Sequence, residues 1–334
     1  MRRRSAATAI LLVASLGLAA CSGGDLVAQS AAQLAERSPN LDFERVEEVL
    51  SEVSKALAAG DETLDANRFA GRVIGGAARV RAAQYAYARA SGETLPALDL
   101  TAQNLAVTNS SEWPRAILNI RQAAPSDLPV VEMLVQEDAR SDYALAAWCR
   151  MLGGTSVTVP SIEEGSAFVS KDSTGFTMTP GEAVRAYVDM LNASQSSNEK
   201  FASDEFTAHY LETVKTLSAN LEKAGIVTAN AEISELPISG VVLQDGSALV
   251  AANFTYTLTY TRTIAGSTMR LGGQTATLNA GDEDAVKGSA VATYVATVLI
   301  DIPSAVQGGV ARIVGADRVL ESVVMDDSSN PDNH

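Results

Sequence analysis

Histidine and cysteine are nearly missing from this chain, with two of each among 334 residues. One histidine, His334, is the last residue, so His209 is the single imidazole inside the body of the sequence. That scarcity excludes a histidine-rich zinc site and the His-Glu-x-x-His helix of a metalloprotease. A serine triad would have to use His209, and no Gly-x-Ser-x-Gly elbow accompanies it. His209 follows Glu205 by one helical turn, a spacing that reads as a local side-chain pair. Phosphate-binding glycine motifs are missing too. Neither Gly-x-x-x-x-Gly-Lys-Ser/Thr nor a strand followed by Gly-x-Gly-x-x-Gly occurs, and Gly153-Gly154, Gly272-Gly273 and Gly308-Gly309 read as turns. Asp282-Glu283-Asp284 lacks the glycine and terminal glutamate of a calcium loop. Positive charge is also short, at 25 Lys and Arg against 40 Asp and Glu, a formal charge of −15. Such a balance repels nucleic acid and anionic lipid headgroups. No residue is therefore assigned to catalysis, to a metal or to a cofactor. Paired carboxylates distant in sequence, as in glycoside hydrolysis, stay open.

What is present begins at the N-terminus. Arg2-Arg3-Arg4 precedes an uncharged run from Ala9 to Ala20, and Leu18-Ala19-Ala20 leads directly into Cys21. The run is too short for a permanent membrane span. It fits the apolar core of a signal peptide with small residues at its processing site. A cysteine directly after that site resembles the lipobox of bacterial lipoproteins. The resemblance implies removal of residues 1–20, lipid on Cys21 and an anchor on the extracytoplasmic face of the cell membrane. Processing removes three arginines and no acid, so the charge of −15 becomes −18 on the remaining 314 residues. Cys149 is then left without a partner, in the apolar stretch Tyr143 to Cys149, and reads as a buried, inert thiol.

The body is 46% apolar and 19% charged over the whole chain, enough to bury a core. Residues 21–40 read as lipidated cysteine and tether. Phe43, Val46, Val49, Leu50, Val53 and Leu57 form a helical stripe that Gly60 closes. A second helical piece covers 61–74, and 77–90 is open between helix and strand. Short apolar runs at 105–107, 116–120, 130–135 and 143–152, split by turn clusters, predict a meander. Residues 156–178, rich in Ser, Thr and Gly, read as a linker. Helices then restart at Thr179-Pro180-Gly181-Glu182, a capping box with proline at the first helical position. Another runs from about 204 to 223, with Gly225 after it. From Val250 to Thr261 apolar residues alternate with polar ones, the pattern of a long half-buried strand. Further strands fit 267–271, 289–302 and 310–324, and 326–334 reads as a disordered acidic tail. The expectation is an α+β fold of two helix-then-meander domains, 41–155 and 179–325, in an order similar to cystatin-like and nuclear transport factor 2-like cones.

Three clusters in the first half carry a further resemblance: Arg79 to Tyr85, Ser111-Glu112-Trp113-Pro114-Arg115, and Asp138 to Tyr143. Together they resemble a family of uncharacterised actinobacterial lipoproteins, over roughly 46–210. That family implies an envelope location and no activity. Trp113, Arg115 and Arg140 are the candidate contacts for a ligand or partner. Trp113 offers a flat stacking face, and the two arginines offer charge to an anion; both also have structural readings, as a loop anchor and as partners of surface acids.

Three functions stay open. The first is a non-enzymatic envelope lipoprotein that binds a small ligand or an envelope protein. The second is the solute-binding lipoprotein of a transporter, which calls for two alternating α/β lobes. The third is an isomerase or dehydratase that uses a carboxyl group of raised pKa in an apolar cavity.

Overall fold

The computed structural model describes residues 38–279 and 284–333. The signal-like segment, Cys21, the tether up to residue 37, Asp282, Glu283 and His334 lie outside the described residues.

Asp42 starts helix α1 (Phe43–Thr63) by accepting from the Arg45 backbone N–H at 2.9 Å, and Val46, Leu50, Val53 and Leu57 form its buried stripe. The helix passes through Gly60 instead of ending there. A Cβ at Gly60 would lie 2.7 Å from both the Phe69 ring and the Tyr85 hydroxyl, so its role is close packing. Residues 61–63 finish α1, and 64–74 hold a single 3-10 turn, Ala66–Phe69, in place of the expected second helix. The ambiguous stretch 77–90 is helical within α2 (Gly75–Ser91), closed by Gly92 in the left-handed region. Arg81 on α2 is 1% exposed and is held by both Asp61 carboxylate oxygens and the Pro96 carbonyl; Tyr85 donates to the same carboxylate at 2.7 Å. This network ties the end of α1 to α2 and to the loop beyond it.

The first sheet follows as read. Strands β1 (Asn104–Val107), β2 (Arg115–Arg121), β3 (Val130–Gln136) and β4 (Ala144–Arg150) pair antiparallel in sequence order. The stretch expected as a linker contributes β5 (Phe168–Ser170) to the second sheet. Helix α3 (Pro180–Asn192) begins with the predicted capping box, and α4 (Glu205–Leu221) follows an Asp204 cap. Gly225 opens strand β6 (Gly225–Ile233), where a Cβ would come within 1.9 Å of the Thr261 carbonyl. Then come β7 (Ser239–Val242), β8 (Ala248–Arg262), the short α5 (Gln274–Leu278), β9 (Ser289–Ile302) and β10 (Arg312–Asp326). The expected strand at 267–271 is reduced to an isolated bridge between Arg270 and Ala285. The sheet runs β10-β9-β8-β7-β5, and β6 shares one side of β8 with β7. The tail read as disordered is docked up to residue 333: it forms a 3-10 turn, and Asp332 pairs with the buried Arg262.

The fold is α+β, but the two halves do not stand apart as domains 41–155 and 179–325. Residues 38–334 form one compact unit. Leu118, Met133 and Cys149 from the first sheet share a core with Leu249, Leu299 and Val314 from the second. Strand alternation sends the opposite faces outward. Ile117, Leu134 and Leu145 meet α1 and α2, while Val250, Phe254 and Ile300 meet α3 and α4. The layers are helix, sheet, sheet, helix. Helix α2 also bridges to the second sheet: Arg79 holds both carboxylate oxygens of Glu321 on β10, at 2.6 and 2.7 Å.

Gly76 marks the tightest point of that bridge. A Cβ there would fall 1.9 Å from Asn253 Oδ1, and Asn253 is itself pinned to Thr297 at 2.8 Å. Gly76→Ala should therefore destabilise the protein by about 1–3 kcal/mol, despite alanine's better helix propensity. Denaturant unfolding checks this; an unchanged or raised midpoint would show that the α2–β8 contact is loose.

Candidate functional site

Trp113 and Arg115, singled out in the sequence, come together at the entry to β2, across a cis Trp113-Pro114 bond. The Arg115 guanidinium carbon sits 4.2 Å from the Trp113 ring centroid. Trp113 Nε1 donates to Gln136 Oε1 at 3.2 Å, and Gln136 Nε2 donates to the Ser141 carbonyl at 2.9 Å. Arg115 and Gln136 are opposite one another in the β2–β3 ladder, which fixes their approach. Tyr143, just before β4, lies behind them and is 5% exposed.

Arg115, Gln136 and Tyr143 line a cleft of about 700 Å³ whose far wall is the chain entering α1, from Ser38 to Val49. Asn40 secures that wall: its side chain donates to the Ser110 carbonyl at 2.7 Å and accepts from the Thr108 hydroxyl at 2.8 Å. Two donors in the cleft are left over. Arg115 Nε and the Tyr143 hydroxyl are both buried and have no hydrogen-bond partner. Burial pushes the Tyr143 hydroxyl up to about 12, against the opposing charge of Arg115. The acids of the cleft are engaged elsewhere: Asp42 caps α1 and Glu48 pairs with Arg45 at 2.8 Å.

Arg140 is not brought to this cleft. It is exposed on the turn after β3, where its backbone N–H donates to Asp138. Arg121 pairs with Asp99, the structural reading of a surface arginine. His209 lies against Arg318 at 3.1 Å rather than forming the expected pair with Glu205. Cys149 is fully buried, and burial holds its thiol well above the ordinary range. No cluster of His, Cys, Asp and Glu suited to a metal occurs among the described residues.

Two other clefts open on the body. One, of about 650 Å³, is largely apolar and runs between Gly75 at the start of α2, Val184 on α3, Phe168 and the 233–239 loop. The other, of about 510 Å³, lies along α2 between Leu98, Trp148 and the Arg150–Asp317 pair.

Sequence reading gave no site role to Tyr143 or Glu132: both fell within apolar runs, and Tyr143 also closed one of the resemblance clusters. An acid inside the run Val130 to Val135 was the available signal. Glu132 is 0% exposed. Its Oε2 accepts from Asn119 at 2.8 Å, and its Oε1 has no partner. Burial pushes its pKa up to about 8, only partly opposed by the Asn119 hydrogen bond. It lines none of the three clefts. No family model matches the chain, and no curated protein or solved structure matches it either.

Glu132 has a consequence for stability. The folded state holds its proton up to about pH 8, while the unfolded carboxyl releases it near the ordinary 4.5. Its contribution is thus full below about pH 4.5 and is lost as pH rises towards 8, by roughly 1.4 kcal/mol per unit at most. Glu132→Gln should keep the shape and remove that slope, so the variant gains on the wild type between pH 5 and pH 8. Chemical denaturation at several pH values checks this; parallel profiles for the two proteins would mean Glu132 is ionised in the fold.

Proposed function

We propose that this chain is a lipid-anchored lipoprotein of the cell envelope whose folded body binds a small ligand without transforming it. The N-terminal pattern ending in Cys21 supports the anchor, and the actinobacterial lipoprotein resemblance adds to it. A lipid on Cys21 needs no membrane-crossing helix; among the described residues no helix is long and apolar enough to be one. The observation that carries the binding reading is the pair of unmatched donors, Arg115 Nε and Tyr143 Oη, in a cleft built from rigid neighbours. A buried donor left without an acceptor costs about 1–3 kcal/mol, so a fold that keeps two on residues lining one cleft is suited to a ligand that brings acceptors.

The other readings have less support. A transporter's solute-binding protein calls for alternating α/β lobes, whereas every ladder between the named strands is antiparallel. An isomerase or dehydratase calls for a carboxyl group of raised pKa facing a cavity. Glu132 has the raised pKa, but the clefts do not reach it.

In a bacterial host, the wild type should fractionate with membranes at the processed size. Cys21→Ala should be released or remain unprocessed. A Cys21→Ala protein found in membranes at the processed size would overturn the anchor.

A further inference from the structure

We infer that the cleft formed by Arg115, Tyr143 and the start of α1 binds an organic oxyanion, with a carboxylate or phosphomonoester head on Arg115 and Tyr143 and a short apolar part against Leu41 and Val49. The inference rests on the binding reading above and adds the chemistry of the ligand.

The argument starts from what the two orphaned atoms are. An arginine N–H can only donate, and a phenolic O–H beside a guanidinium is placed to donate as well. Their missing partner is an acceptor. Among the described residues Arg115 also makes no ion pair, in a chain that carries 40 acids against 25 bases. The nearest carboxylates in the wall do not supply one: Asp42 is held by the Arg45 backbone N–H, and Glu48 by the Arg45 side chain. A guanidinium kept free of acids on so acidic a body is best completed by an anion from outside.

Geometry narrows the anion. Stacking on Trp113 at 4.2 Å fixes the plane of the Arg115 fork, and the Trp113–Gln136–Ser141 chain of hydrogen bonds fixes Trp113 in turn. A planar fork held in advance favours a head with two or more oxygens over a single-point acceptor, and little side-chain entropy remains to be lost on binding. Tyr143 Oη supplies a second direction of approach. Beyond the head, Pro39, Leu41 and Val49 give the cleft an apolar side, which inorganic ions would leave bare.

Calorimetric titration of the full-length Cys21→Ala protein tests this, using benzoate, phenyl phosphate and inorganic phosphate as probes. Saturable binding of benzoate or phenyl phosphate, tighter than that of inorganic phosphate, is expected. Arg115→Gln should weaken it about tenfold or more, as for loss of a charged hydrogen bond. Tyr143→Phe should weaken it several-fold without lowering the melting temperature, because the hydroxyl has no partner to lose. Arg140→Gln should leave it unchanged. Vesicles of phosphatidic acid in phosphatidylcholine separate the sources: binding to these vesicles but not to free probes assigns a lipid headgroup, and the reverse assigns a soluble anion. No saturable binding in either arm up to about 10 mM, well beyond any specific affinity, would overturn the inference and leave the two donors to water. So would binding that both Arg115→Gln and Tyr143→Phe retain in full. Neither result bears on the anchor, which fractionation reads separately.

Discussion

Two sheets lie face to face, with Leu118, Met133 and Cys149 on one side and Leu249, Leu299 and Val314 on the other, and the placement of everything else depends on that contact. Because side chains alternate along a strand, burying one face of each sheet in a common layer commits the other face to the helices. Glycine appears where the layers come closest. Gly315 on β10 is an example, since a Cβ there would sit 2.7 Å from Leu299 and 3.0 Å from the Arg150 carbonyl. The same layer explains why Cys149 is inert. Its sulfur is one of the packing atoms between the sheets, removed from solvent, and burial holds the thiol well above the ordinary range.

Among the buried polar groups three cases stand out. Arg81, Asp61 and Tyr85 satisfy one another and hold α1, α2 and the 93–98 loop in register. Such a network rigidifies because each member has its partner. Arg115 and Tyr143 differ in lacking partners although every neighbour is fixed. Glu132 stands between these cases, with one oxygen held by Asn119 and the other bare, and it resolves the conflict by keeping its proton. The first group is structure, the second is two buried donors left without acceptors, and the third is a cost that the sheet carries.

Much of the fold was legible because local rules and tertiary packing agree. The capping box at Thr179, the stripe from Val46 to Leu57 and the alternation through β8 all predicted their elements. The misreadings came where packing overrode local preference. Gly60 and Gly225 look like helix terminators, yet one lies inside a helix and the other opens a strand, each because another group occupies the space of a side chain. Residues 156–178 look like a linker, but Phe168 to Ser170 complete a sheet edge that the sequence could not announce. The acidic tail looked disordered until Arg262, deep in the sheet, supplied a partner for Asp332. At the candidate site Trp113 and Arg115 were visible as residues, Arg140 was grouped with them for its charge, and Tyr143 was given no role of its own.

By itself the sequence determined most of the long elements and the exclusions: the amphipathic helices and the alternating strands, that the body is acidic, and that histidine and glycine motifs for several chemistries are missing. These depend on spacing and composition, which are local properties. Only the tertiary structure decided that two helix-then-meander halves share one core, and that Arg115 and Tyr143, each with a buried donor lacking a partner, line one cleft. Whether a polar atom finds a partner depends on atoms dozens of residues away, and no local pattern records that.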